Sequence, residues 1–331
     1  MIRSRILGVG KYLPERRVTN FDLEKMFETS DEWIQQRTGI IERRYADEGV
    51  YCSDLALEAS RDCLKNAGMK PEDIDFIIFA TLSPDIHFPG TGVFLQRKLG
   101  LTDIGCMDIR NQCTGFLYSL AVADAFVRIG MYKRVLVVGS EIHSHALNFS
   151  FAGRDVTVLF GDAAAAVIVG PSDDPSRGIL SSHLHADGRF ADILKLDIFD
   201  ISQKPIVSQK MLEEGRQYPK MKGKEVFKVA VTKIPEVIQE ALQANNLKVE
   251  DVDLFLAHQA NLRINQYAAQ QLGVPEEKFY NNIQYYGNTT AASIPLLLSE
   301  VLEKGMLKEG NIVMMVAFGS GFTWGASVMR W

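Results

Sequence analysis

Apolar residues recur along this chain in two alternating periods. Two continuous runs rich in β-branched residues, Ile74 to Ala80 and Val135 to Val138, have the length and make-up of buried strands. Between and around them lie stretches with helical spacing. Cys52 to Asn66 is amphipathic and closed by Gly68, Val93 to Leu99 is capped by Gly100, and Ser30 to Ile40 holds a short helix stopped by Gly39. Thr19-Asn20-Phe21-Asp22 offers N-cap candidates ahead of another helical pattern. A strand is expected over residues 2–9, ended by Gly8, Gly10 and Pro14. A loop over 156–162 leads into a further strand from Ala163 to Val169. Strands that alternate with helices predict an α/β fold of parallel-type sheets covered by helices.

The second half repeats the first. Leu64 to Phe76 has its counterpart in Leu242 to Leu254. Each copy continues through an apolar strand and a helix ending Leu-Gly (Leu99-Gly100, Leu272-Gly273). Each then reaches a polar turn, 111–115 in the first and 286–290 in the second, followed by a helix and a closing strand. The duplication predicts two pseudo-equivalent halves facing one another, 1–172 and 173–331, with a site gathered at strand ends between them. Residues 188–222 lack a counterpart and read as a surface or lid-like insertion with little periodicity.

Composition narrows the class. The 331 residues are 47% hydrophobic and 23% charged, which suits a large globular core. A net charge of −5 argues against non-specific nucleic-acid binding. No apolar run reaches the roughly 18 residues of a membrane span, and residues 1–6 lack a secretory apolar region. Cys52, Cys63, Cys106 and Cys113 lack paired spacing, which argues against a zinc knuckle or a disulfide framework. A soluble cytoplasmic protein with reduced thiols is expected.

Four positions carry candidate chemistry. Cys113 stands where an apolar run turns into a helix that is apolar nearly all round, Leu117 to Val127. Free N–H groups in a first helical turn favour thiolate, so Cys113 is either a nucleophile or a small core residue. His258 ends the apolar strand Leu254 to Ala257 and points toward the crevice, or is a hydrogen-bonded structural histidine. Asn288 precedes a helix, where it serves chemistry or a cap. Gly319-Ser320-Gly321 supplies a turn whose N–H groups could meet an oxyanion, or a plain turn. The pairs His143/His145 and His183/His185 lack a nearby carboxylate or thiol cluster, so no metal is expected. Phosphate-binding glycine fingerprints are missing. Lys220, Lys222, Lys224, Lys228 and Lys233 form a basic cluster, which is a solvated face or a dock for an acidic partner.

Asn111 to Phe116, His258 to Arg263, Tyr286 to Ser293 and Phe318 to Gly325 together resemble β-ketoacyl-acyl-carrier-protein synthase III, the initiating condensing enzyme of bacterial fatty-acid synthesis. The likeness runs from Gly8 to Trp331. It implies a thiolase-like duplicated fold in five αβαβα layers and a homodimer. It also implies decarboxylative Claisen condensation of an acyl-coenzyme A primer with malonyl-acyl carrier protein, without a resident cofactor. By the resemblance, Cys113 carries the acyl group, His258 and Asn288 hold the enolate oxygen, and the N–H groups of Cys113 and Ser320 form the oxyanion hole. Trp33, Arg37, Arg154 and Asn261 would bind coenzyme A, Arg263 and Lys228 would dock the carrier protein, and Phe88 would close the neighbouring subunit's acyl pocket. The chain departs from the family pattern at Arg110-Asn111-Gln112 before the cysteine, at Ser320, at Gln270-Gln271 and in the long insertion. A sibling from a polyketide or quinolone pathway would keep the trio with another donor or acceptor. A papain-like hydrolase also uses Cys, His and Asn, but with other local motifs.

Overall fold

The structure, a computed structural model, describes residues 3–331. Its first sheet orders five strands as Ser4–Tyr12, Ala163–Pro171, Val135–Glu141, Phe76–Ala80 and Gly105–Ile109. The last three run parallel, and Ala163–Pro171 lies antiparallel between them and Ser4–Tyr12. The second sheet orders Gly178–Ala186, Thr323–Arg330, Ile312–Gly319 and Leu254–Ala257 with the same sequence of senses. Its fifth position shrinks to a single bridge between Phe255 and Phe279. Both sheets are therefore mixed, where the alternation of elements predicts parallel ones. The strands ending at Gly319 and starting at Thr323 are too close in the chain for a crossover, so they form a hairpin.

The continuous apolar runs follow from burial on both faces. Along Phe76–Ala80, Phe76 and Ile78 face inward while Ile77 and Phe79 face outward, each into its own core. Val313, Met315 and Ala317 alternate in the same way with Ile312, Met314 and Val316 in the second sheet. Two helices, Gly115–Arg128 and Ser293–Glu303, lie between the sheets. Phe116, Leu120 and Leu297 pack there against Val137 of one sheet and Leu256 of the other. A helix buried from all sides has no polar face, which is how Leu117 to Val127 reads in sequence. Cys52–Ala67 and Thr91–Lys98 cover the outside of the first sheet. Gly223–Ala244 and Leu262–Leu272 cover the second, completing five layers, αβαβα. The chain passes from one sheet to the other between Pro171 and Gly178.

The first strand departs from its predicted span. It runs Ser4–Tyr12, through the two glycines expected to end it, and residue 2 of the expected span lies outside the described residues. Gly10 serves packing, because a Cβ there would sit 2.1 Å from the Cys63 nitrogen of the covering helix. The insertion also has structure of its own. Leu194–Lys195 pairs with Lys220–Met221, and the short helix Gln209–Glu213 lies between them. Phe190 stacks on Phe322 at 5.1 Å, which fixes the start of the insertion to the second sheet.

Candidate active site

The same local device appears twice. Gln112 at φ 43° and Thr290 at φ 50° each open a short 3-10 turn, Gln112–Thr114 and Thr290–Ala292, that feeds a central helix. Left-handed backbone is costly for residues with a Cβ, more so for β-branched threonine. The matching turns put Cys113 opposite Ala291 in register, so Asn288 comes from just before its turn while Cys113 comes from within its own. The duplication thus brings two turns together without making Cys113 and Asn288 equivalent.

Cys113 is buried at the floor of the site. The strand Ile312–Gly319 ends against it, and a Cβ on Gly319 would lie 2.5 Å from the Cys113 Cβ and 3.1 Å from its Sγ. Only glycine fits at that distance. Burial pushes the Cys113 thiol up to about 12, and the carboxylate of Glu141 pushes the same way. The N–H groups of Ser320 and of Cys113 itself pull it down. The helix-start position favours thiolate by sequence, but in the folded chain the loss of solvation outweighs the N–H groups.

His258 stands one residue past Leu254–Ala257, and its N–H still donates to Val316 O at 2.8 Å. Burial pushes its imidazole down to about 3, so it is neutral. Its Nδ1 shares a hydrogen bond of 2.7 Å with Ser293 Oγ, while Nε2 is buried without a partner. A hydroxyl can donate or accept, so Ser293 supports either tautomer of the ring. Asn288 is fixed by its backbone: its N–H donates to Leu159 O at 2.7 Å, and its carbonyl accepts from Gly161 N–H at 3.1 Å. Its Oδ1 accepts the Thr290 N–H at 2.9 Å, which leaves Nδ2 as the free end of the amide. Cys113, His258 and Asn288 line one cavity of about 540 Å³, with Leu159, Phe160, Met221, Phe227 and Phe318 among its apolar walls.

The cavity opens toward the helix Asp31–Thr38, where Trp33 and Arg37 line it one turn apart on one face. The Arg37 guanidinium lies 4.8 Å from the Trp33 ring centroid, and that of Arg154 lies 4.2 Å from it. Two cations on one indole make an aromatic and basic rim. Asn261 lines the same cavity and caps Leu262–Leu272, its Oδ1 accepting the Arg263 N–H at 2.9 Å while its Nδ2 donates to Arg37 O at 3.0 Å. Arg263 is exposed beside this rim, its guanidinium donating to Gln36 O at 3.2 Å. Lys228 is exposed on Gly223–Ala244, and Lys224 of the same helix lines the cavity. Neither lysine has an ion pair among the described residues, whereas Lys233 is paired with Glu236 at 2.7 Å.

Phe88 lies elsewhere, 78% exposed on the loop after Phe76–Ala80 and outside this chain's cavity. Ser320 gives its N–H to Cys113 and its hydroxyl to Leu194 O, tying the insertion to the turn 319–321. His183 and His185, which have no carboxylate or thiol cluster near them in sequence, both meet Glu240 at 3.0 and 2.7 Å, because the covering helix crosses their strand. The sequence reading missed Ser293, Thr290 and Gly319 as supports of the trio. The polar run Asn288-Thr289-Thr290 and the lone Ser293 at the head of an apolar helix were the available signal for the first two.

Comparison with known proteins places this geometry in a family. The family description 3-oxoacyl-[acyl-carrier-protein (ACP)] synthase III matches residues 107–188, and its C-terminal part matches residues 242–331. The chain is 46% identical to the β-ketoacyl-[acyl-carrier-protein] synthase III of Caldanaerobacter subterraneus subsp. tengcongensis, over 100% of this chain and 98% of that one. The crystal structure of the 3-oxoacyl-[acyl-carrier-protein] synthase III of Aquifex aeolicus superposes with a TM-score of 0.90 at 42% identity, covering 99% of this chain and 100% of that one. A priming β-ketosynthase of a polyketide biosynthetic pathway superposes with a TM-score of 0.89 at 33% identity, covering 99% and 96%. The five-layered duplicated fold is thus the thiolase-like one.

Proposed function

The chain belongs to the 3-oxoacyl-[acyl-carrier-protein] synthase III family, and from that premise we propose how its cavity joins two acyl units. It is an acyltransferase, a β-ketoacyl-[acyl-carrier-protein] synthase III that condenses an acyl primer with a malonyl group to begin fatty-acid synthesis. The observation that carries the residue assignment is the meeting of Cys113, the unpartnered Nε2 of His258 and the free amide end of Asn288 in one apolar cavity.

In the first half-reaction the Cys113 sulfur attacks the carbonyl of an acyl-coenzyme A. The carbon–sulfur bond to coenzyme A breaks, and the thiol proton passes to the departing sulfur. With Nδ1 donating to Ser293, the neutral His258 ring can take that proton in transit at Nε2. The Trp33, Arg37 and Arg154 rim suits the adenine and phosphates of coenzyme A, and Asn261 suits the pantetheine amides. In the second half-reaction malonyl-acyl carrier protein enters and its carboxylate leaves as CO₂. The electron pair of the broken bond passes into an enolate, whose oxygen meets Nε2–H of His258 and Nδ2–H of Asn288. With Ser293 donating to Nδ1, Nε2 carries the required proton. The enolate carbon attacks the acyl-Cys113 carbonyl, the N–H groups of Cys113 and Ser320 hold the oxyanion, and the carbon–sulfur bond breaks to release Cys113 as a thiolate that takes up one proton from solvent. Coenzyme A thioester and carrier protein are substrates, and these steps need no resident cofactor.

Exposed Lys228 and Arg263 beside the rim suit the acidic surface of a carrier protein. A homodimer is supported by the edge strand Gly105–Ile109, which is paired on one side, and by exposed Phe88. Four free cysteines suit a reducing cytoplasm, and no helix among the described residues is long and apolar enough to cross a membrane. A second reading, priming of a polyketide-type pathway, is favoured by the likeness to a priming ketosynthase.

Intact-protein mass spectrometry with a panel of acyl-coenzyme A donors, then malonyl-acyl carrier protein, tests the assignment. Wild type gains the acyl mass and loses it as a β-ketoacyl carrier product, and Cys113→Ser gains none. An acyl-enzyme that malonyl-acyl carrier protein leaves untouched favours the second reading. An acyl mass on Cys113→Ser overturns the nucleophile.

A further inference from the structure

Asn288 can serve an enolate oxygen only through its amide N–H, because its amide oxygen turned into the cavity would repel the developing charge. Which end faces the cavity is decided by Thr290, whose N–H holds Asn288 Oδ1 at 2.9 Å. That N–H points correctly because Thr290 is at φ 50°, a conformation a β-branched residue does not hold unaided. The side chain of Thr290 is held in turn: its Oγ1 shares a hydrogen bond of 2.7 Å with His143 Nε2, and both residues are buried. His143 is itself fixed from two sides. Its N–H donates to Asp162 Oδ1 at 2.7 Å, and its ring lies 4.5 Å from the ring of Phe160. Phe160 bridges to Asn288 in the chain segment that sets the asparagine backbone. His143 thus joins the end of Val135–Glu141 to the turn that aims Asn288, and the condensation steps above do not use it.

We propose that His143 is a positioning residue, holding Thr290 in its left-handed conformation so that Asn288 presents Nδ2 rather than Oδ1 to the enolate oxygen of the malonyl thioester. The inference rests on the assignment of Asn288 made above. Burial, with His258 nearby, pushes His143 down to about 3, so its bond to Thr290 is one between a neutral ring and a hydroxyl. The same turn leads directly into Ser293, the first residue of the next helix, so a single segment orients both groups that meet the enolate.

His143→Leu, His143→Gln and Asn288→Ala, with the double variant of the first and last, separate this role from a structural one. Acylation of Cys113 by acyl-coenzyme A is followed by intact mass, and each purified acyl-enzyme is then given malonyl-acyl carrier protein. His143→Leu is expected to acylate within about twofold of wild type and to condense about tenfold or more slowly. His143→Gln, whose amide still meets the Thr290 hydroxyl, recovers most of the condensation rate. The double variant is no slower than Asn288→Ala, because both changes remove one interaction. Acylation and condensation falling together in both His143 variants, condensation unchanged in His143→Leu, or additive losses in the double variant would each overturn the inference. Condensation at the wild-type rate in Asn288→Ala removes the assignment of Asn288 itself and this inference with it. A slow Asn288→Ala beside a fast His143→Leu removes the inference alone.

Discussion

Cys113 sits where two opposing influences meet: the first turns of a buried helix, whose N–H groups favour a negative sulfur, and a pocket that withholds water from it. Burial prevails and the resting group is a thiol, raised to about 12. Its alkylation by iodoacetamide should therefore rise about tenfold per pH unit between about pH 7 and pH 10 without levelling off. A plateau below about pH 8 would show that the helix start outweighs desolvation. The residue type and its place at a loop-to-helix junction are readable in sequence. Its protonation is not, because desolvation depends on the walls that Phe318, Phe160 and the hairpin glycine Gly319 build from distant parts of the chain. The same holds for His258, where the buried strand end is legible but the Ser293 partner comes from the other side of a turn.

Among the elements, the cap at Asn261 links chemistry to architecture. Its Oδ1 starts Leu262–Leu272 and its Nδ2 grips the last turn of Asp31–Thr38, the helix that presents Trp33 and Arg37. Asn261→Ala removes both bonds. The loss of the cap alone costs about 0.5–2 kcal/mol. The expected result is a lower melting temperature together with a raised KM for acyl-coenzyme A, while condensation from preformed acyl-enzyme keeps its kcat. An unchanged KM would show that the helix carrying Trp33 does not depend on this contact. Most helix boundaries were visible in sequence, because capping residues and αL glycines act within a few residues. Gly39 at φ 80° and Gly68 at φ 65° end their helices where the pattern predicts. Strand ends were less visible. Gly8 and Gly10 look like terminators until the helix Cys52–Ala67 is seen lying against them, and that contact spans some fifty residues of chain.

Across the whole molecule, the first sheet ends on an edge strand beside exposed apolar side chains. Gly105–Ile109 pairs with Phe76–Ala80 on one side, and Met107 on it is 37% exposed. Nearby, Phe88 projects 78% exposed, and His87 beside it lies 5.0 Å from the ring of Phe199 of the insertion. An apolar side chain so placed, next to an unpaired strand edge, fits a second copy of the chain. Light scattering should therefore give the mass of a dimer at micromolar concentration. Phe88→Ala should leave the dimer intact and shift donor preference toward longer acyl chains. A monomeric mass, or an unaltered chain-length profile, would remove Phe88 from the acyl pocket.

The sequence by itself determined the alternation of strands and helices, the repeat of Leu64–Phe76 at Leu242–Leu254 and the buried helix after Cys113, and it set Cys113, His258 and Asn288 at the ends of elements, open to a chemical or a structural role. All of these rest on local propensity, or on patterns that a duplication writes twice. Only the tertiary structure decided that the sheets are mixed, that Cys113 and Asn288 are not equivalent in register, and that the cysteine rests as a thiol. It also decided the partners of these side chains: Ser293 on His258, Thr290 on Asn288, and His143 on Thr290. Strand sense, solvation and hydrogen-bond partnership are set by contacts between residues far apart in the chain, so no local pattern could carry them.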